Sequence, residues 1–205
     1  MIKLHLGSGK NNLDGWINVD HPRAPIKHGG KPDVRIDITV RKGDDSWERY
    51  ENDSVDYIYT EHTIEHFHYN DCTVMLEECY RVLKPGGRIR IATPDLKFLV
   101  QIYNTNKTLV QEQYMKYSCN NRSFGFVPHP IDTFVINNFV RDWNHTFIYD
   151  AKTLISLLTR CKFLNSREYS IGKSHTPVFK NIENKKNRVD MSFYKLETFV
   201  VEAKK

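Results

Sequence analysis

Histidines and acids crowd into two short stretches of this chain, His62-Thr63-Ile64-Glu65-His66 and Arg141-Asp142-Trp143-Asn144-His145. Imidazole titrates near neutrality, so it can take a proton from a weakly acidic group at working pH or ligate a metal. The first stretch spells His-x-x-Glu-His. On a helix that spacing would put both imidazoles on one face, able to hold Zn²⁺ with Glu65 as base. That chemistry needs a helical context, and here the motif follows the end of a strand pattern, so no residue is assigned as a metal ligand. Separately from that motif, Glu65, Asp142 and His145 could form a hard-cation site. A third cluster, Gly7-Ser8-Gly9 followed by Asp20, pairs a tight glycine turn with an acid. Position 12 is Asn and no Gly-Lys-Ser/Thr exists, which excludes a dinucleotide fingerprint and a phosphate-cradling P-loop.

The elements that must position these groups alternate. Apolar runs at Ile2–Leu6, Trp16–Asp20, Val34–Ile38, Val55–Thr60 and Arg88–Thr93 read as strands. A helix is expected from Asn70-Asp71, with Asp71 as N-cap and Val74, Met75, Cys79, Val82 and Leu83 at helical spacing. Lys84-Pro85-Gly86-Gly87 should stop it. Leu96–Tyr103 and Leu109–Tyr117 read as short helices. Residues from Asn120 to Trp143, rich in Asn, Pro and aromatics, read as a long irregular insertion of functional type. Asp150 should cap a helix over Ala151–Arg160, and Arg167–Ile171 and Tyr194–Ala203 should form a closing hairpin. Only six residues separate Gly9 from Trp16, too few for the usual crossover helix between parallel strands. The fold class is α/β, with a mostly parallel sheet.

The order of these parts resembles the class I S-adenosylmethionine-dependent methyltransferases: Ile2-Lys3-Leu4-His5-Leu6-Gly7-Ser8-Gly9, Asp53–Thr60, Glu61-His62-Thr63-Ile64-Glu65-His66, and Arg81-Val82-Leu83-Lys84-Pro85-Gly86-Gly87-Arg88-Ile89-Arg90-Ile91. The likeness is closest to a type 11-like branch carrying an E-H-x-x-E-H segment after the fourth strand, similar to glycan-associated methyltransferases. It implies a Rossmann-like seven-stranded sheet with an antiparallel C-terminal hairpin, helices on both faces and a shortened N-terminus. It implies S-adenosyl-L-methionine as cofactor, bound by Gly7, Ser8, Gly9, Asp20, His21, Asp37, Ile38, Glu61 and His62. His145 and His66, with Asp142 orienting or contacting substrate, are the expected catalytic groups. His129, Asp132, Arg141 and Trp143 are the expected substrate contacts.

A sulfonium methyl group needs an aligned acceptor, and a sugar hydroxyl also needs a base near neutral pKa, which histidine provides. Aromatic side chains in the insertion suit stacking on a pyranose ring. The expected function is therefore a sugar O-methyltransferase. A methyltransferase of a small metabolite, quinone or lipid, and an inactive scaffold domain, are the alternatives. The Asn/Asp-Pro-Pro-Tyr sequence of base methylation is absent.

At 205 residues with net charge +5, 40% hydrophobic and 27% charged, the composition is that of one globular domain, 1–205, with residues 95–145 as a substrate-binding insertion or lid. The first strand begins almost at Met1, so the chain is also read as a domain cut from a longer polypeptide, fused to or associated with glycosyltransferase domains. Basic residues are spread out, the run from Lys180 to Arg188 being Asn-rich, and no nucleic-acid stripe is visible. No apolar window approaches the ~18 residues of a membrane span. Cys72, Cys79, Cys119 and Cys161 have no metal-ligand spacing, and Cys72 and Cys79, two turns apart on one expected helix, read as buried thiols in a reducing, cytoplasmic setting.

Overall fold

The computed structural model describes residues 1–23, 31–104, 106–120, 130–183 and 190–205. Seven strands form one sheet: β1 (Lys3–Leu6), β2 (Ile17–Asp20), β3 (Val34–Arg35), β4 (Val55–Glu61), β5 (Leu83–Pro94), β6 (Leu164–Tyr169) and β7 (Thr198–Lys204). Their order is β3-β2-β1-β4-β5-β7-β6. The first five pair in parallel, and β7 runs antiparallel to both β5 and β6. This is the Rossmann-like sheet that the sequence led us to expect.

Residues in register point to the same side of a sheet. Leu4, Ile58, Ile89 and Ala203 make one buried row, and Leu6, Ile91 and Val201 the next. Helices α1 (Tyr69–Val82) and α5 (Ala151–Arg160) cover these rows with Cys72, Met75, Cys79, Leu154, Leu157 and Leu158 in one core. The Arg160 guanidinium donates to the Thr73 hydroxyl at 2.9 Å, tying the two helices side by side. Asp150 caps α5 by accepting from the Thr153 N–H at 2.7 Å.

The helical cover is uneven. The other face presents His5, Tyr59, Arg90 and Glu202 in one register row. Among the described residues, the ring of Trp16 and the segment 170–183 lie over this row. Phe179 lies 6.2 Å from Trp16 and 5.7 Å from Tyr57, and Arg90 is held between Glu183 and Glu202 with the Lys173 carbonyl at 3.0 Å.

The short link between β1 and β2 carries no helix. Buried Asn18 organises it: its side-chain oxygen accepts from the Leu13 N–H at 2.7 Å, and its amide nitrogen donates to the Trp16 carbonyl at 3.2 Å and to Asp33 Oδ2 at 2.9 Å. A saturated polar hub thus replaces the crossover helix in fixing the tip of β2.

Several boundaries differ from the sequence reading. The N-cap of α1 is His68, and Asp71 sits in the first turn, where a carboxylate still favours the helix dipole. Lys84-Pro85-Gly86-Gly87 is no loop: α1 runs directly into β5, and the register shifts between Val55 and Tyr57 as a bulge, with Gly86 at φ 85°. The stretch expected to be irregular contains α4 (Asp132–Arg141), whose Val135 and Phe139 join Phe98, Leu99 and Ile102 of α2 (Leu96–Asn104) and Tyr114 and Met115 of α3 (Leu109–Asn120) in a second core. Tyr194 belongs to α6 (Met191–Glu197), which adds Phe193 and Leu196 to that cluster before β7 begins. Residue 129 and the centres of the loops after His21 and after Glu183 lie outside the described residues.

Candidate active site

Strand β1 ends in Gly7 and Gly9, both in the left-handed region at φ 65° and 50°. They do different jobs. A Cβ on Gly7 would collide with the Thr63 side chain, so this glycine lets the tip of β1 pack against the turn after β4. A Cβ on Gly9 would meet nothing within 4 Å, because it faces the mouth of a cavity of about 230 Å³. Gly7, Gly9, Asp20, His21, Asp37, Ile38, His62, Thr63, His66 and Phe67 line that cavity.

Asp20 ends β2, and its Oδ1 accepts from the His21 N–H at 2.8 Å. Asp37 lies opposite, with Oδ1 accepting from the Thr39 N–H at 2.9 Å and hydroxyl at 2.6 Å, and Oδ2 3.4 Å from His21 Nε2. Burial alone would raise the Asp37 pKa, but the Thr39 hydrogen bonds and the His21 imidazole more than offset it and hold it below the ordinary value. The Asp37 carboxylate is thus fixed and charged.

Two residues expected here are elsewhere. Ser8 is buried and does not line the cavity. Glu61 is the last residue of β4, and its side chain turns away to accept the Tyr194 hydroxyl at 2.8 Å. Alternation along the strand sends position 61 to the side of Tyr59, away from the ligand edge.

A second cavity, of about 480 Å³, adjoins the first and shares His62 and His66 with it. Its other lining residues are Glu65, Pro94, Tyr117, Phe139, Trp143, His145, Tyr194 and Glu197. Ile64–His66 forms a single 3-10 turn after β4. The Glu65 carbonyl accepts from the Thr146 N–H at 2.7 Å and the Phe147 N–H at 3.2 Å, which staples the loop before α5 onto that turn. The staple brings His145 to His66, ring centroids 5.0 Å apart. Three non-glycine residues around this junction hold left-handed backbones: His62 (φ 49°), Trp143 (φ 55°) and Asn144 (φ 61°). Such geometry costs free energy and often accompanies functional sites.

Glu65 is fully buried, with Oε2 accepting from the Thr93 hydroxyl at 2.9 Å and Oε1 3.4 Å from His62 Nδ1. Burial opposes charge on both partners, yet the carboxylate raises the His62 pKa and the imidazole lowers that of Glu65. His62 also bonds Thr198 Oγ1 through Nε2 at 3.1 Å. His145 is turned by its Nδ1, 2.7 Å from the Phe139 carbonyl, and burial lowers its pKa toward the neutral form.

The second stretch divides on folding. Trp143 and His145 line the cavity; Asp142 and Arg141 do not. The partner expected to orient His145 was Asp142, and the Phe139 carbonyl takes that place, because α4 ends at Arg141 and the left-handed residues after it fold the chain back over its own last turn. Arg141 is exposed. Asp132 starts α4 at the end remote from Phe139 and pairs with Lys107 Nζ at 3.2 Å. His129 lies outside the described residues. Sequence reasoning missed Phe67, Tyr117, Phe139, Tyr194 and Glu197 as lining residues. Nothing in their local sequence pattern marks them as cavity-lining residues.

Residues 19–91 match the methyltransferase domain family. Curated proteins gave no match by sequence. A SAM-dependent methyltransferase from Archaeoglobus fulgidus superposes with TM-score 0.58 at 18% identity, covering 99% of this chain and 85% of that one. An S-adenosylmethionine-dependent methyltransferase from Mesorhizobium loti gives 0.55 at 13%, covering 100% and 90%. A SAM-dependent enzyme from Thermotoga maritima, titled a possible histamine N-methyltransferase, gives 0.52 at 13%, covering 99% and 81%. At these identities the structural likeness speaks for the fold. Residues 19–91 thus match a methyltransferase domain, and the fold of the whole is that of S-adenosylmethionine-dependent methyltransferases, enzymes whose cofactor is S-adenosylmethionine.

The residues of the smaller cavity are of kinds that could hold that cofactor: Asp20 and Asp37 would offer carboxylates to ribose hydroxyls and an adenine amino group, Ile38 and Phe67 would offer apolar walls to a base, and Gly9 leaves the space that any larger residue would enter.

Proposed function

We propose that this methyltransferase is an O-methyltransferase acting on a sugar hydroxyl of a glycan or glycan precursor. The observation that carries the proposal is the junction of the two cavities, where His62 and His66 line both and His145 faces His66 from the acceptor side. The cofactor, when bound, supplies an electrophilic methyl group on sulfur. This chain's residues hold the acceptor oxygen in line and handle its proton as the O–H bond gives way to an O–CH₃ bond. His66 and His145 are the groups placed for that proton. Tyr117, Phe139, Trp143 and Tyr194 give the acceptor cavity aromatic faces for a sugar ring, with Glu65 and Glu197 as acceptors for its hydroxyl hydrogens. A lipid or quinone would bring no hydroxyls for these carboxylates to accept, which argues against the apolar alternatives.

The four cysteines are free and buried, in keeping with a reducing, cytoplasmic setting, and glycosyltransferases are the natural associates of such an activity. Among the described residues no helix is long and apolar enough to cross a membrane. Transfer of labelled methyl onto free and nucleotide-linked sugars, against quinones and primary amines, tests the reading. Label in the sugar pool is the expected result, and label confined to quinones or amines would overturn it.

A further inference from the structure

We infer that Glu65, His66 and His145 form a binding site for one divalent transition-metal ion of the Zn²⁺ class, opening into the acceptor cavity. One donor atom from each lies within 4.8 Å of the other two. Around an ion with bonds of ~2.1 Å, donors stand about 3–3.5 Å apart, so modest side-chain rotations close the set.

Three independent features prepare these donors. The Nδ1 atoms of both histidines face backbone carbonyls, Asn144 O at 3.3 Å for His66 and Phe139 O at 2.7 Å for His145. A ring that donates Nδ1–H keeps its proton there and leaves Nε2 as a bare lone pair, the tautomer that ligates metals, and the carbonyl contact is the usual outer support of such a ligand. Among the described residues nothing bonds either Nε2. Next, Glu65 is 0% exposed, its Oε2 is fixed by Thr93, and its Oε1 makes no hydrogen bond, with His62 Nδ1 at 3.4 Å as its ion-pair partner. A carboxylate oxygen has two lone-pair directions, so beside the His62 contact Oε1 keeps one open to a metal ion. Finally, the backbone staple from the Glu65 carbonyl to Thr146 and Phe147 sets the distance between the two histidine-bearing segments without using the donors themselves.

Two imidazoles and one carboxylate favour Zn²⁺, Co²⁺ or Mn²⁺ over Mg²⁺ or Ca²⁺, which prefer all-oxygen shells. The remaining coordination positions would be open to water or to acceptor oxygens, and a coordinated hydroxyl gives up its proton to water more readily than a free one, so with the ion bound His66 and His145 would act on that proton through the metal rather than as free bases. The existence of the site does not depend on the sugar reading, although that use of it does.

The test uses the untagged full chain stripped with chelator, titrated with Zn²⁺ by calorimetry and with Co²⁺ by visible absorption, without substrate or cofactor. The expected result is one ion per chain. Glu65→Gln, His66→Ala and His145→Ala should each weaken it at least about tenfold, while His68→Ala leaves it unchanged and a millimolar excess of Mg²⁺ does not compete. An absence of Zn²⁺ binding, affinities unchanged in the three variants, or competition by Mg²⁺ would overturn the inference. Should Glu65→Gln fail to fold, the two histidine variants, on exposed and half-buried side chains, decide the matter. If the ion binds as expected but label never reaches sugars, the acceptor reading falls and the metal site stands.

Discussion

A Cβ built on Gly7 would run into Thr63 on a backbone held at φ 65°, whereas one built on Gly9 would enter open space at φ 50°. The two glycines should therefore fail in different ways. Gly7→Ala should lower stability by about 2 kcal/mol or more, read from the urea midpoint, because strain and collision add. Thr63→Ala in the same chain should recover part of the loss. Gly9→Ala should cost about 1 kcal/mol in stability and show its main effect as weaker S-adenosylmethionine binding in calorimetry. His145 lines the acceptor cavity alone. His145→Ala should cut kcat by about 10²-fold or more while cofactor affinity changes by less than about threefold. An equal loss in both would mark it as a structural residue.

Helix α5 owes its start to Asp150, whose carboxylate caps it through Thr153 and has its pKa lowered, chiefly by the hydrogen bond from the Thr153 side chain. A carboxylate with a depressed folded pKa stabilises above its unfolded value, near pH 4, and that contribution disappears as pH falls through the folded pKa. Asp150→Ala should cost about 1 kcal/mol at pH 7. Thermal melts of the two proteins should converge as the pH is lowered below about 4. A difference that persists undiminished at pH 2 would show that the cap acts through something other than the charged carboxylate. Asn18 plays the corresponding part for the β1–β2 link, and its hydrogen bonds to Leu13, Trp16 and Asp33 do what a crossover helix does in a longer chain.

At the scale of the whole molecule, the face of the sheet away from α1 and α5 is closed by one fully buried ion triad, Arg90 with Glu183 and Glu202. Removing one member of such a group leaves uncompensated charge in the interior. Arg90→Met should destabilise by about 3–5 kcal/mol, seen as a large drop in melting temperature. Arg90→Met combined with Glu183→Leu and Glu202→Leu should recover much of it, since an apolar replacement of similar volume removes the desolvation cost as well as the pairing. If the triple variant is as unstable as the single one, the triad is fixing the 170–183 segment in a way that packing cannot replace.

By itself the sequence determined the order and kind of the central elements. Strand patterns, the Asp150 cap and the acid at the end of β2 are local signals, set by side-chain period and backbone preference within a few residues. It also marked both histidine stretches. What it could not decide was which way each side chain faces once strands and turns are packed. Glu61 and Glu65 are four positions apart in one acidic, histidine-rich run, yet one turns to Tyr194 and the other into the acceptor cavity, because a strand and a 3-10 turn present successive residues differently. Likewise, the approach of His145 to His66 rests on backbone hydrogen bonds between residues some eighty positions apart. Only the closed tertiary structure supplies contacts of that separation, so only it could join the two stretches into one site.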